Sequence, residues 1–331
     1  MDNSGVDNLK EDSSKVDNLK VVITGGAGFI GSHIAEFWTS RGAEVHVIDN
    51  LRSGHLKNVT LFPKINFHRG SITDRDLVFS VLEGADYVHH LAAMVSVPES
   101  VMKPQECVEI NVLGLLNVLD AARQHKVKKV VHSSSAAVYG DNPESPKFTS
   151  MRPMPKSPYG ITKLDGEYYL EMYRESFKTG TVSLRYFNVF GPRQDPQSQY
   201  AAAIPIFVSR ALKNEPITIY GDGSQTRDFV FVKDVVAANV IAAENKEAHG
   251  VFNVANGSSI TIKELAELIT KETGSKSRII FEEERPGDIK HSLASIKDTV
   301  EGLGFSPKFN LIDGLKETIA YFVKEFSSGK A

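Results

Sequence analysis

Two residues four positions apart, Tyr159 and Lys163, could move a proton together. They lie near the start of a segment with a helical pattern, where that spacing places both side chains on one face. A tyrosine with a pKa near ~10 is a poor base at neutral pH, but a neighbouring ammonium favours its phenolate. Ser135 follows a predicted strand and offers a hydroxyl to a substrate oxygen. We therefore predict a catalytic group made of Ser135, Tyr159 and Lys163.

A glycine-rich segment indicates a dinucleotide site. Gly25, Gly28 and Gly31 lie between a predicted strand and a predicted helix, where glycine permits a tight turn and lets the helix N-terminus face a pyrophosphate. The next strand ends at Asp49, whose carboxylate would bond the adenosine ribose and repel a 2′-phosphate. We expect NAD, while Arg52 leaves some tolerance of NADP open. The positive nicotinamide of NAD⁺ would act with the Lys163 ammonium to favour the Tyr159 phenolate. The alternative interpretation is a structural glycine turn with a structural aspartate.

The elements that must position these groups alternate between strand and helix, which predicts right-handed crossovers and a parallel sheet. We expect the α/β class: a Rossmann-type doubly wound parallel sheet with a smaller mixed α/β C-terminal substrate lobe. The predicted boundaries are a disordered tail over 1–19, an NAD-binding Rossmann domain over 20–190 and a mainly substrate-binding lobe over 191–331, with the chain free to cross between lobes. The predicted strands are 20–24, 45–48, 65–69, 87–91, 127–132, 181–186, 217–220, 229–232, 251–254 and 278–281. The predicted helices are 29–41, 74–83, 104–125, 158–178, 201–213, 233–243, 261–273 and 311–326.

Composition narrows the function classes. The formal net charge is -3 over 331 residues, and no basic tract stands out, so we expect no nucleic-acid partner. No apolar run reaches the ~18 residues that span a bilayer, so we expect no membrane partner. We interpret the single cysteine, Cys107, as a packed structural thiol. A chain with one cysteine forms no internal disulfide, so we expect a reducing, cytoplasmic compartment. The ten histidines show no metal-ligand spacing, so no metal is expected.

Five motifs resemble the extended short-chain dehydrogenase/reductase family over almost the whole chain from Lys20 to Phe326. The motifs are Thr24 to Gly31, His90 to Ala93, the serine run that leads to Val138-Tyr139-Gly140, Tyr159 with Lys163, and Arg185 to Pro192. The resemblance implies action on nucleotide sugars. Within the family, the chain is most similar to the UDP-hexose 4-epimerases, in the subgroup acting on UDP-glucose and UDP-N-acetylglucosamine. It implies an isomerase with tightly bound NAD and transient oxidation at C4.

Two alanines distinguish the expected reaction from the other reactions that members of this family catalyse. In nucleotide-sugar 4,6-dehydratases, Asp-Glu follows the catalytic hydroxyl residue, and UDP-xylose-forming decarboxylases carry a Glu at the second position. Here Ala136 and Ala137 stand there, and alanine transfers no proton. The resemblance therefore favours epimerisation of UDP-glucose/UDP-galactose and of UDP-GlcNAc/UDP-GalNAc. The alternatives are a UDP-glucuronic acid 4-epimerase, another nucleotide-sugar oxidoreductase or dehydratase, or a non-catalytic NAD sensor.

The resemblance also implies further site residues, and a homodimer formed through the helices 104–125 and 158–178. For the cofactor it implies Gly25, Gly28, Phe29, Ile30, Gly31, Asp49, Asn50, Ser71, Ile72, Leu91, Ala92, Ala93, Tyr159 and Lys163. For the substrate it implies Ser96, Ser135, Asn188, Tyr200, Ala201, Arg227, Arg285, Asp288 and Ser292. Ser292 stands where epimerases restricted to non-acetylated sugars carry a bulky tyrosine, so it leaves room for an acetamide. Gly70-Ser71 replaces the usual Gly-Asp, which puts the adenine contact in doubt.

Overall fold

Seven strands form a parallel sheet at the centre of the computed structural model, which describes residues 18–196, 202–284 and 290–328. The seven strands are β1 Lys20–Thr24, β2 Glu44–Asp49, β3 Ile65–Arg69, β4 Tyr87–His90, β5 Lys129–Ser135, β6 Thr181–Tyr186 and β11 Gly250–Val254. Their spatial order, β11-β6-β5-β4-β1-β2-β3, reverses between β1 and β4. Ligands of open α/β sheets bind outside the carboxyl ends of the strands at such a reversal.

Helices cover both faces of this sheet, because strands buried on both sides expose apolar side chains in both directions. The helices are α1 Phe29–Ser40, α2 Lys57–Thr60, α3 Arg75–Leu82, α4 Val97–Met102, α5 Pro104–Val108, α6 Gly114–Gln124, α7 Pro158–Phe177, α8 Ala203–Leu212, α9 Val232–Glu244, α10 Ile262–Thr273 and α11 Leu311–Ser327. One face of the sheet packs against α1 and α9, and the other packs against α3, α6 and α7.

Helix α7, which carries the predicted catalytic residues Tyr159 and Lys163, begins where its sequence predicts. Ser157 is the N-cap and accepts a hydrogen bond from the Gly160 N–H, and Pro158 occupies the first helical position. The helix ends at Phe177, and the next residue, Lys178, has a left-handed φ of 59°. The predicted segment 158–178 is therefore confirmed to within one residue.

The predicted continuous helix 104–125 is wrong in detail, because a π turn over Glu109–Leu113 separates α5 from α6. Asn111 lies in this turn and is buried. Its amide accepts from the Met94 N–H at 2.7 Å and donates to the Met94 carbonyl at 3.1 Å. These bonds satisfy the backbone of the loop after β4, a demand that a helical pattern in the sequence does not reveal.

From Asn188 onward, three short strand pairs and the helices α8, α10 and α11 enclose a second apolar cluster rich in phenylalanine. The strands are β7 Asn188–Phe190, β8 Ile217–Tyr220, β9 Thr226–Arg227, β10 Phe229–Phe231, β12 Ile260–Thr261 and β13 Ile279–Glu282. Within the predicted 191–331 lobe, α9 packs on α1 and β11 pairs with β6, so this stretch of chain returns to the central sheet. The division into lobes at 190 stays a prediction.

Several predicted features fall outside the described residues. They are most of the 1–19 tail and the substrate residues Tyr200, Ala201, Arg285 and Asp288. None of the helices in the described ranges is both long enough and apolar enough to cross a membrane.

Candidate active site

The glycine loop brings the start of α1 against the sheet. Gly25 has a left-handed φ of +72°, and a Cβ there would lie 2.7 Å from the Ala92 nitrogen. A Cβ on Gly31 would lie 2.3 Å from the Gly25 carbonyl oxygen. No side chain caps α1, and its first turn carries no acidic residue. The loop therefore presents a helix N-terminus that suits a diphosphate, the group a dinucleotide would place there.

Asp49 ends β2 beside this loop and is 8% exposed. One carboxylate oxygen accepts from the Ala27 N–H at 3.0 Å and the other from the Leu51 N–H at 2.8 Å. Burial raises the pKa of Asp49 above its usual value, while these two bonds oppose the rise. A carboxylate with two oxygens has capacity beyond these two bonds, so Asp49 can both hold the glycine loop and accept from a ribose hydroxyl.

A cleft of about 660 Å³ opens at the reversal point of the sheet. The residues predicted for the cofactor that line it are Gly25, Gly28, Phe29, Ile30, Gly31, Asp49, Asn50, Ser71, Ile72, Leu91, Ala92 and Ala93. Arg52, Gln194 and Asp195 also line it. The observed cradle fits a dinucleotide along the strand ends, and each residue's contact with it stays a prediction.

Ser135, Tyr159 and Lys163 meet at the carboxyl end of β5 and the first two turns of α7. Lys163 is 3% exposed, its Nζ donates to the Ser133 carbonyl at 2.7 Å, and it lies 5.9 Å from the centre of the Tyr159 ring. Burial lowers the pKa of Lys163 to about 8. The Ser135 hydroxyl accepts from the Ala137 N–H at 3.1 Å and also interacts with Tyr159.

The chain's own groups do not by themselves favour a Tyr159 phenolate, which is predicted for the site with a positive nicotinamide in place. Burial raises the pKa of Tyr159, the Ser135 hydroxyl lowers it, and the charge of Cys107 raises it. Lys163 is not among the causes of this shift; its Nζ donates to the Ser133 carbonyl and lies 5.9 Å from the centre of the Tyr159 ring. Without a bound ligand the phenol therefore stays protonated at neutral pH. An additional positive charge next to the hydroxyl would be needed to favour the phenolate.

A buried ion pair lies one helical turn beyond Lys163, and sequence reasoning missed it. Arg185 in β6 makes a two-pronged contact with Glu167, at 2.8 Å and 2.7 Å, and both side chains are almost fully buried. The Ser134 hydroxyl donates to the same carboxylate at 2.5 Å. These bonds fix α7 to β5 and β6, so they fix Lys163. The signal available in the sequence was Glu167 four residues after Lys163 on the same face.

Three histidines beneath the site are neutral structural groups. His90 shares a hydrogen bond with Thr24 and stacks on His132 with ring centres 5.7 Å apart. Burial lowers the pKa of His90 to about 3 and that of His89 to about 4. Across the part of the chain that the structure describes, no cluster of His, Cys, Asp and Glu could hold a metal ion.

The structure brings some predicted substrate residues together. The Asn188 amide donates to the Asp228 carbonyl at 2.9 Å and lies 3.4 Å from the Ser292 hydroxyl. The Ser292 N–H donates to the Thr226 carbonyl, which precedes Arg227 in β9. Ser96 lies elsewhere, as the N-cap of α4 with its hydroxyl accepting from the Glu99 N–H at 3.1 Å. Asn188, Arg227 and Ser292 therefore share one region, while the substrate roles of all four residues stay predictions.

Comparison with known proteins agrees with this geometry. The family model described as NAD dependent epimerase/dehydratase family matches residues 21–255. A UDP-N-acetylglucosamine 4-epimerase of Methanobrevibacter ruminantium, solved with UDP-N-acetylmuramic acid, is 42% identical with a TM-score of 0.89, covering 93% of this chain and 99% of that chain. A UDP-glucose 4-epimerase of Thermotoga maritima, solved with UDP-glucose, is 38% identical with a TM-score of 0.88, covering 93% and 100%. A UDP-glucose 4-epimerase of Thermus thermophilus, solved with NAD, is 38% identical with a TM-score of 0.84, covering 92% and 99%.

Proposed function

The chain belongs to the NAD dependent epimerase/dehydratase family, and on that premise we propose which sugars it converts. It is an isomerase, a UDP-sugar 4-epimerase that uses NAD. We propose that it interconverts UDP-glucose with UDP-galactose and UDP-GlcNAc with UDP-GalNAc. The finer assignment is supported by residues around the catalytic group and around Ser292.

The observation that carries the reaction type is the pair of alanines beside Ser135, where no second proton-transfer group stands. Ala136 and Ala137 begin the 3₁₀ turn that follows β5. A Cβ on Gly160 would lie 2.9 Å from the Ala137 carbonyl oxygen, so this turn packs directly against the start of α7. A dehydratase needs an acid and a base at these two positions, and methyl groups supply neither. Oxidation followed by reduction at one carbon needs only the Ser135–Tyr159–Lys163 group.

Each residue of that group has a defined part in the proposed reaction. Bound NAD would supply the hydride acceptor for C4 and the hydride donor for its opposite face. Tyr159 takes the proton of the C4 hydroxyl and later gives it back, and the Ser135 hydroxyl holds the C4 oxygen in line. The Lys163 ammonium would favour the phenolate and would bond the nicotinamide ribose. Since no net oxidation occurs, the cofactor stays bound between turnovers.

The surroundings of Ser292 support N-acetyl sugars as substrates. Its short side chain lies 3.4 Å from the Asn188 amide. A tyrosine ring at this position would fill space that an acetamide needs. The proposal is therefore that the chain accepts both the plain and the N-acetylated hexoses.

The decisive experiment follows C4 inversion by NMR. The purified full chain is incubated without added NAD, separately with UDP-Glc, UDP-GlcNAc and UDP-glucuronic acid. We expect inversion of the first two, with no dependence on added cofactor. Inversion of UDP-glucuronic acid alone would replace the proposed substrates, and no inversion of any of the three would defeat the epimerase assignment.

A further inference from the structure

An arginine and two glutamates bridge the adenosine end of the cleft. Arg52, in the loop after β2, donates from one guanidinium nitrogen to Glu99 at 2.7 Å and from another to Glu106 at 2.5 Å. Glu99 lies in α4 and Glu106 in α5, so the loop is tied to the elements that follow β4. Arg52, Glu99 and Glu106 are called the ionic clasp below. Lys103 approaches both glutamates, at 3.5 Å and 3.6 Å.

The clasp is rigidly connected to the residue that would bind the ribose. The Leu51 N–H donates to Asp49, and the Arg52 N–H donates to the Asn50 side chain at 3.0 Å. Leu51 has a left-handed φ of 62°, which turns the chain sharply between Asp49 and Arg52. Asp49, Asn50 and Arg52 all line the cleft. These bonds and this turn therefore fix the position of Arg52 relative to Asp49, the residue that would bind the adenosine ribose.

An arginine at this place is ordinarily a device for holding a 2′-phosphate, because its planar fork matches phosphate oxygens. Here two of its nitrogens are already committed to carboxylates. The hydrogen bond with Glu106 is the main cause that raises the pKa of Arg52 above its ordinary value, and the bond with Glu99 adds to it. Two carboxylates also add negative charge where a phosphate dianion would have to enter.

We propose that Glu99 and Glu106 set the cofactor selectivity of the cleft by withholding Arg52 from a 2′-phosphate, so that NAD binds and NADP does not. The proposal deepens the cofactor assignment of the proposed function. Asp49 contributes repulsion of its own, but only the clasp explains why an arginine can line an NAD cleft without recruiting NADP. Glu99 and Glu106 are thus specificity-determining residues that act through Arg52.

The test is competition between the two cofactors on the full-length protein. Wild type and the E99Q/E106Q variant are each prepared free of cofactor, equilibrated with an excess of equimolar NAD⁺ and NADP⁺ and freed of unbound dinucleotide, and the bound dinucleotides are quantified after release. We expect the bound NADP-to-NAD ratio to rise at least tenfold in the variant. Adding R52Q to the double variant should return the ratio to the wild-type value. Glu171→Gln, which removes a carboxylate paired with Arg174 on α7, should leave it unchanged.

Each other outcome overturns the proposal. A ratio within twofold of wild type means that the clasp has no part in selectivity, and an equal loss of both cofactors means that it only supports the fold. If the double variant does not fold, Glu106→Gln alone removes the shorter of the two contacts and should raise the ratio at least threefold. Bound dinucleotide is measured independently of C4 inversion, so failure of the epimerase assignment and failure of this proposal are distinguishable.

Discussion

Tyr159 is the residue whose removal separates an enzyme from a protein that only binds NAD. Tyr159→Phe keeps the ring and deletes the hydroxyl that would exchange the C4 proton. We expect kcat for C4 inversion to fall by roughly 10²–10⁴-fold, the usual contribution of a positioned acid–base group. The bound NAD content should not change, because the glycine loop and Asp49 are untouched. NMR of the sugar and quantification of released NAD measure the two quantities.

The matched control for Tyr159→Phe is Tyr168→Phe, on the same helix. Tyr168 is 61% exposed, so its side chain stands largely in solvent. We expect its kcat to stay within twofold of wild type. Full turnover in the Tyr159→Phe variant would mean that another group carries the proton.

We predict that the buried Lys163 side chain makes the free energy of unfolding depend on pH. Its folded-state pKa of about 8 lies below the ordinary 10.5, because burial disfavours the ammonium. Between these two values the unfolded chain binds more protons than the folded chain, so the free energy of unfolding rises with pH. Below pH ~8 both states carry the proton and the penalty is fully present. Lys163→Met should therefore stabilise the cofactor-free protein at pH 7 by about 1–3 kcal/mol, the desolvation gain less the lost bond to Ser133.

Urea unfolding of cofactor-free protein at pH 7 and pH 9.5 measures this effect. The wild-type protein should gain more stability between the two pH values than the Lys163→Met variant. Lys178→Met, at the exposed end of the same helix, should follow the wild-type pH dependence. A variant less stable than wild type at pH 7 would show that the bond to Ser133 outweighs the burial penalty.

At the scale of the elements, we predict that turnover depends on the buried ion pair between Glu167 in α7 and Arg185 in β6. Glu167→Gln leaves the Arg185 guanidinium buried without its countercharge, and breaking such a pair typically costs about 3–5 kcal/mol. The loss of the tie between α7 and β6 also loosens Lys163, so kcat should fall while bound NAD is retained. Urea unfolding and NMR turnover measure both effects.

A double replacement provides the control for this pair. In E167L/R185M both charges are absent, so the free energy of unfolding should recover at least half of the loss seen with Glu167→Gln. Turnover should stay low, because the two-pronged tie is still missing. An additive loss in the double variant would mean that the two side chains act independently.

Local signals in the sequence account for much of the element pattern. The bounds of β6 and β8 were predicted without error, since short β-branched and aromatic runs lie between turn residues in both cases. The short helix α4 was missed: it is only six residues long, and its valines and proline resemble a loop. The π turn was missed because its cause is the distant loop at Met94 rather than any local propensity.

The same distinction applies to the site. Spacing along the sequence was enough to predict the glycine loop, Asp49 and the Tyr159–Lys163 pair. The structure places all of them at one edge of the sheet. The Glu167–Arg185 pair and the ionic clasp join residues 18 and 47–54 positions apart, so no local pattern reveals them. The return of β11 to the central sheet is likewise a long-range pairing, with β6, that composition alone does not specify.

At the scale of the whole molecule, the helices that carry the site leave apolar side chains in solvent. On α7 they are Ile161, Tyr168 and Met172, which share one face, and on α4, α5 and the π turn they are Val101, Met102, Val108 and Leu113. These seven residues are called the apolar patch. Helices α4, α5 and α6 pack beside α7, so the two groups are neighbours. Contiguous exposed apolar surface on a folded chain is usually covered by a partner.

We expect the partner to be a second copy, because a self-complementary helical face is suited to a two-fold dimer. Tyr168→Glu combined with Met172→Glu places two charges in the apolar patch, and burying them unpaired in an interface is strongly unfavourable. Sedimentation equilibrium should give the mass of a dimer for wild type and of a single chain for the variant. I312E/V323E, which changes two exposed apolar residues of α11, should remain a dimer. A wild-type protein with the mass of one chain, or a double-glutamate variant with the mass of two, contradicts an interface at this patch.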